Sequence, residues 1–258
     1  MADAAAIARA RRWFRLCGHH PIETPHATIV ATPADPDVWD ANFALAKPGA
    51  DPARLIAALD AAMGHSRWRV VQADLLTDPD MPAALALSGF TQGPPLIEMA
   101  THAVQAPAAR APITLDTVTS DADWTEMIAM VRIDHAEGRR TGTITEDVSA
   151  GLITLMRERV PAGSFALIRL NGEAAGYGLM LACPGGLGLL ENLFTLPAMR
   201  GRGIMSAFIA QASARLSAQG CATIFLDALA GEQAKHLYAR LGFRPVAITN
   251  CWTRRIAD

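Results

Sequence analysis

An apolar strand that runs into a glycine- and arginine-rich turn and out again as a helix constrains this chain more than any other feature. Residues 189–196 (Leu-Leu-Glu-Asn-Leu-Phe-Thr-Leu) form the strand, which stops at Pro197. Arg200-Gly201-Arg202-Gly203-Ile204-Met205-Ser206 then opens a helical pattern carrying Phe208, Ile209, Ala212 and Leu216. Glycines let a backbone approach a ligand closely, and the first amides of a helix have no partner within it. Those donors, the positive end of the helix dipole and two arginines suit a pyrophosphate.

The sequel strengthens the pattern. Residues 221–227 read as a short buried strand and residues 232–241 as a helix that ends in Leu241-Gly242-Phe243. Strand, phosphate turn, helix, strand, helix and strand in this order resemble the GNAT superfamily of acyl-CoA-dependent N-acetyltransferases. That family's turn, Arg or Gln, two residues, Gly, one residue, then Gly or Ala, is matched at Arg200 and Gly203, while Met205 stands where a tiny residue is usual. A second hallmark, Leu-Tyr-x-x-x-Gly-Phe, is intact at Leu237, Tyr238, Gly242 and Phe243. Gly231 replaces the Asn often found seven residues before the Tyr. The resemblance covers residues 113–255 and implies an α/β fold, a mixed and mostly antiparallel central sheet flanked by helices.

The resemblance also implies roles. Acetyl-CoA is the expected donor and an amine the expected acceptor, with no metal. The pantetheine arm is expected to pair with the backbone at Phe194 and Leu196, and an amide around residues 193–195, Thr195 included, is expected to meet the carbonyl oxygen. Arg200, Gly201, Arg202, Gly203, Ile204, Met205 and Ser206 would hold the pyrophosphate. Tyr238 is placed to protonate the departing thiolate, although a tyrosine on this helix could equally be packing. An amine of pKa about 10.4 must lose a proton before it attacks. Glu191 is the candidate to take it, with Asp227 as the alternative, and either could instead be a solvated strand-end carboxylate. Met205 and Gly231 leave open a catalytically silent acyl-CoA-binding or structural module.

Composition narrows the partners. With 258 residues, 51% of them hydrophobic, the chain can bury a large core, as one big domain or two small ones. A formal charge of −2 without any basic run gives no general attraction to nucleic acid or anionic membranes. Cys17, Cys183, Cys221 and Cys251 are scattered, which suits reduced thiols of a cytosolic protein. The Ala-rich start is broken by Asp3, Arg9, Arg11, Arg12 and Arg15, so residues 2–16 read as an amphipathic helix rather than a signal or a span. Cys17, His19 and His20 lack a fourth metal ligand and read as turn residues. Either a monomer or a homodimer is compatible with these features.

A Pro- and Ala-rich passage at residues 106–112 is the expected linker, dividing residues 1–105 from a catalytic domain at residues 113–258. Ser120 or Asp121 and Thr145 can cap two helices, and Asn171-Gly172 marks a hairpin between strands at 165–170 and 174–181. Between those helices, Asp134, His135, Glu137 and the loop from Gly138 through Arg139, Arg140 and Thr141 to Gly142 lie where the family builds its acceptor pocket. The first half repeats the second half's order in reduced form: strand 26–32, a helix capped at Asp51-Pro52, strand 68–73, helix 82–88, Gly89-Phe90 and strand 96–101. Sliding Gly89-Phe90 onto Gly242-Phe243 puts Leu85 where Tyr238 stands. Residues 33–50, at the phosphate-turn position, lack Arg-x-x-Gly-x-Gly. A degenerate copy of the same fold, unable to bind CoA, is the expectation.

Overall fold

A computed structural model of the chain describes residues 3–107, 111–137 and 144–256. Helix α1 (Ala4–Leu16) begins where Asp3 accepts from the amides of Ala5 and Ala6. Strands β1 (Ile22–Glu23), β2 (Ala27–Ala31) and β3 (Asn42–Ala46) follow. Helix α2 (Pro52–Ala62) starts where the Asp51 side chain accepts from the Arg54 amide and Pro52 fills a position that needs no donor. The first half ends with β4 (Trp68–Ala73), α3 (Met81–Leu87), β5 (Thr91–Gln92) and β6 (Leu96–Thr101).

In the second half, β7 (Ile113–Thr117) leads to α4 (Asp121–Ala136), closed by a reciprocal capping box between Ser120 and Asp123, and to α5 (Glu146–Glu158), capped by Thr145. Strands β8 (Phe165–Leu170) and β9 (Glu173–Cys183) turn at Asn171 and Gly172, whose φ values of 53° and 86° are those of a hairpin turn with two left-handed residues. Then come β10 (Leu187–Thr195), α6 (Ile204–Ala218), β11 (Thr223–Leu229), α7 (Ala234–Arg240) and β12 (Arg244–Arg255).

One twisted sheet runs in the order β1-β2-β3-β4-β12-β6-β11-β10-β9-β8-β7, with β5 beside β12. Its parallel pairs are β3 with β4 and β10 with β11, crossed over by α2 and α6. The centre of the sheet is an exchange. Strand β6 of the first half pairs with β11 (Met99 opposite Leu226), and β12 of the second half pairs with β4 (Trp252 opposite Val71). The two exchanged strands also pair with each other. Phe90 donates its amide to the Leu85 carbonyl at 3.0 Å, and Phe243 does the same to Tyr238 at 3.0 Å, with Gly89 and Gly242 both left-handed between them. Leu85 and Tyr238 therefore hold matching backbone positions.

Apolar side chains seal the sheet on both faces. Phe208 and Ile209 of α6 pack with Leu226 and Phe243 in one cluster, and Ile7 of α1 packs with Phe165, Tyr177 and Phe225 in another. The first half has its own cluster around Ile29, Leu55, Leu59, Val71 and Leu85. Each such buried side chain contributes about 1.5–3 kcal/mol.

Residues 33–50 differ from expectation: between a turn at residues 33–37 and another at residues 48–49, the segment holds a 3-10 turn at Trp39–Ala41 and the fully buried strand β3. Among the described residues no helix is long and apolar enough to cross a membrane.

Candidate functional site

The cleft opens where two parallel strands part. Strands β10 and β11 pair only from Leu187 to Leu189, opposite Thr223 to Phe225. Beyond that, Asn192 adopts a left-handed φ of 52° and the ladder with β9 shifts register between Glu191 and Phe194. Phe194 and Thr195 rejoin β9 opposite Tyr177 and Gly176, and the Leu196 amide donates to the Ala175 carbonyl at 2.9 Å. Strand alternation then turns the backbone of Thr195, rather than that of Leu196, to the open side. A cleft of about 1620 Å³ lies there, lined among others by Glu191, Phe194, Gly203, Asp227, Tyr238 and, from the first half, Trp39.

The turn at its mouth is open and rich in backbone donors. Gly201 and Gly203 both have φ 77°, and a Cβ added to either would meet nothing within 4 Å. The first intrahelical bond is Ala207 N to Gly203 O at 3.0 Å, so the amides of Ile204, Met205 and Ser206 come before the helix supplies acceptors. Ile204 is buried, and Met205 is half-buried, packing on the core as well as lining the cleft. Arg202 is exposed and reaches the Ala198 carbonyl at 3.4 Å. Arg200 is committed within the protein: Nε donates to the Thr195 carbonyl at 3.1 Å, Nη2 to both Glu137 oxygens at 2.8 and 2.9 Å, and the guanidinium lies over Phe194. These residues fit the pyrophosphate of an acyl-CoA through backbone donors, with Arg200 bracing the turn.

Tyr238 on α7 is 6% exposed, packs in the core beside Phe243 and reaches the cleft lining. The packing and cleft-facing alternatives for this residue thus coexist. Gly231 is exposed, with open space where a side chain would go.

The carboxylates come together around a residue the sequence did not single out. Arg11 of α1 is 3% exposed. Its Nε and Nη2 donate to the two oxygens of Glu98 at 3.0 Å each, its Nη1 to Glu191, and its Nη2 lies 3.3 Å from Asp227. Burial opposes its charge, but Glu98, Glu191 and Asp227 more than compensate and hold its pKa well above the usual value. From the sequence alone Arg11 reads as one polar residue on an amphipathic helix, and Glu98 as part of a strand. The available signal was Glu98 itself, a lone carboxylate in Leu96-Ile97-Glu98-Met99, because a charge in an apolar strand needs a partner.

Two further polar contacts tie α4 to its neighbours β9 and α5. Tyr177 donates to Asp134 at 2.8 Å and His135 bonds Ser149 at 2.8 Å. Residues Gly138, Arg139, Arg140, Thr141 and Gly142 lie outside the described residues, as do Ala108, Ala109 and Arg110 of the expected linker. Among the described residues no group of three or more His, Cys, Asp or Glu side chains could hold a metal ion. Cys17 closes α1, and burial together with Arg159 pushes the pKa of His19 down to about 4.

Comparison with known proteins agrees with this architecture. Residues 127–243 match the model of the acetyltransferase (GNAT) family. A GCN5-related N-acetyltransferase from Kribbella flavida is 22% identical, covering 100% of this chain and 97% of its own, with a TM-score of 0.70. A functionally unknown conserved protein from Staphylococcus epidermidis is 13% identical over 93% of this chain and 95% of its own, with a TM-score of 0.68. A tandem GNAT protein from the clavulanic acid biosynthesis pathway is 16% identical over 84% and 76%, with a TM-score of 0.55. No curated protein sequence matches the chain significantly. The fold is the GNAT fold, a mostly antiparallel sheet flanked by helices, with the family-model match in the C-terminal part.

Proposed function

We propose that this protein transfers an acetyl group from acetyl-CoA to an amine by direct attack, with the reaction in the cleft of residues 113–258. The observation that carries this reading is the parting of β10 and β11 directly above the glycine turn, with Tyr238 and Glu191 lining the same cleft. The GNAT family match over residues 127–243 supports acyl-CoA-dependent transfer as the general class.

Acetyl-CoA supplies the thioester. In this reading the amides of Gly203, Ile204, Met205 and Ser206, with Gly201 and Arg202, hold the pyrophosphate, and Arg200 keeps the turn in shape. The acyl arm is bordered by the backbone of Thr195, which faces the open side, while the expected pairing with Phe194 and Leu196 gives way to their pairing with β9. Glu191, or Asp227 beside it, takes a proton from the acceptor ammonium. The amine nitrogen then bonds to the carbonyl carbon and the carbon–sulfur bond breaks; the Tyr238 hydroxyl gives its proton to the sulfur, and the second proton that leaves the nitrogen as the amide forms restores the phenol.

Residues 1–105 serve as a degenerate copy that completes the sheet and walls the acceptor side. Leu85 matches Tyr238 in backbone position but carries no hydroxyl. Carboxylates already occupy the anion position at its helix start: Asp51 accepts from Arg54 N at 2.9 Å, and Asp78 from Gly49 N at 2.7 Å. The test is release of CoA thiol from acetyl-CoA across a panel of primary amines. Turnover of at least one amine, with an N-acetylated product, is expected. Acetyl-CoA binding without turnover of any amine would refute the proposal.

A further inference from the structure

We propose that Arg11, carried on the first helix, is a positioning residue for the reaction: it fixes Glu191 and Asp227 against the cleft and keeps them ionised to receive the acceptor's proton. This rests on the acetyl-transfer reading above and adds to it a part for the N-terminal helix.

The geometry is that of a clamp. Glu98 takes two parallel bonds from the guanidinium and is the most buried of the three carboxylates, with its side chain 2% exposed. Such bidentate pairing fixes the plane of the guanidinium, and the Phe225 ring lies 5.4 Å from its centre. With that plane set, Nη1 points at Glu191 and Nη2 comes within reach of Asp227. Glu191, its side chain 11% exposed, is the least buried of the three and is held by one nitrogen. Glu98 thus anchors Arg11, and Arg11 aims the two carboxylates that line the cleft.

Electrostatics require the cation. Glu98, Glu191 and Asp227 hold the Arg11 guanidinium charged against the opposing effect of burial, and by the same pairwise attractions Arg11 offsets the mutual repulsion of the gathered carboxylates. The charged and titratable groups facing the cluster are Arg11 from α1, Glu98 from β6, Glu191 from β10 and Asp227 from β11. Among the described residues, the Cys183 thiol on β9 and Arg159 at the end of α5 also face it. Burial pushes Cys183 up to about 12, so it adds no charge near neutrality.

The helix has moorings apart from the clamp. Arg12 grips Asp74 with two bonds of 2.7 Å, and Arg15 pairs with Asp40 at 3.5 Å. Arg159 donates to the carbonyls of Phe14, Arg15 and Cys17. Removing Arg11 therefore leaves α1 tied down at three other places.

The test uses the full chain, with Arg11→Met and Arg11→Lys, and follows kcat/KM against pH, acetyl-CoA affinity by calorimetry, and the titration of ¹³C-labelled carboxyl groups by NMR. In Arg11→Met the acidic limb of kcat/KM and the titrations of Glu191 and Asp227 should move up by about one pH unit or more. Its kcat should fall roughly 10²-fold, the scale of a general base, with acetyl-CoA affinity unchanged. Arg11→Lys should restore the limb, because the charge returns, but not full kcat, because one ammonium cannot grip Glu98 and Glu191 as a fork does. An unmoved limb and titration in Arg11→Met overturn the proposal. If that variant does not fold, a wild-type kcat in Arg11→Lys overturns it. If the wild-type chain acetylates no amine, the functional reading fails by itself, and the carboxyl titrations still decide whether Arg11 controls the ionisation of Glu191 and Asp227.

Discussion

Replacing Gly203 by alanine separates what the turn does for the fold from what it does for a ligand. At φ 77° an alanine pays a left-handed penalty of about 1–2 kcal/mol. The stiffer unfolded chain returns about 0.4–1 kcal/mol of that. No clash adds to the balance, because no heavy atom lies within 4 Å of the new Cβ. A net loss of about 1 kcal/mol lowers Tm by about 2–4 °C for a chain of this size. The same methyl group projects into the space proposed for the pyrophosphate. A charge-assisted hydrogen bond to a backbone amide is worth about 1.5–3 kcal/mol, so pushing the phosphate off one amide weakens binding roughly 10- to 100-fold. Thermal melts and calorimetric titration with acetyl-CoA read the two effects on one protein. A lowered Tm with unchanged affinity would remove this turn from the cofactor site, and Gly201→Ala, equally left-handed and equally uncrowded, repeats the test one step away.

Tyr238→Phe should lower kcat by roughly 10²-fold at unchanged acetyl-CoA affinity, and a loss confined to affinity would make Tyr238 a binding residue. Titration should find one CoA per chain, since Asp51 caps the start of α2 and Asp78 takes the Gly49 amide in the turn before it; two equivalent sites would refute the degenerate-copy reading. Burial and Arg159 hold His19 at a pKa of about 4, below the unfolded value of about 6.5. The unfolded chain therefore binds more protons between those values, and stability that is complete above about pH 6.5 erodes as pH falls toward 4. His19→Leu should make Tm less sensitive between pH 7 and 5, and an identical slope in both proteins would show that other groups govern it.

Local chemistry was readable residue by residue. Asp51, Ser120 and Thr145 cap the helices their side chains suggested, and Asn171-Gly172 makes its turn, because each depends on atoms a few bonds away. Strand and helix ends moved by about two residues at β11 and α7, where fraying outweighs pattern. The turn residues Arg200 to Ser206 and Tyr238 can be read as a set from the sequence because their order along the chain carries the pattern. Strand β3 was missed: Pro33, Pro36 and Pro48 suggested a loop, yet the five residues from Asn42 to Ala46 are all buried. The engagement of Arg200 by Glu137, and of the three carboxylates by Arg11, joins residues from distant elements. Nothing in local periodicity encodes such meetings, and they follow only once the sheet order is known.

That order carries a consequence for how the chain is made. One edge of β4 is covered by β3, but its other edge finds a neighbour only in β12, close to the C-terminal end, and β6 finds β11 almost as late. During synthesis the first half must wait with β4 and β6 as open edges, the kind of unpaired strand that invites mispairing. Residues 244–255 therefore act as the closing stitch of both halves. A frameshift or early stop just before them would harm the first half, synthesised long before, as much as the half in which the break occurs.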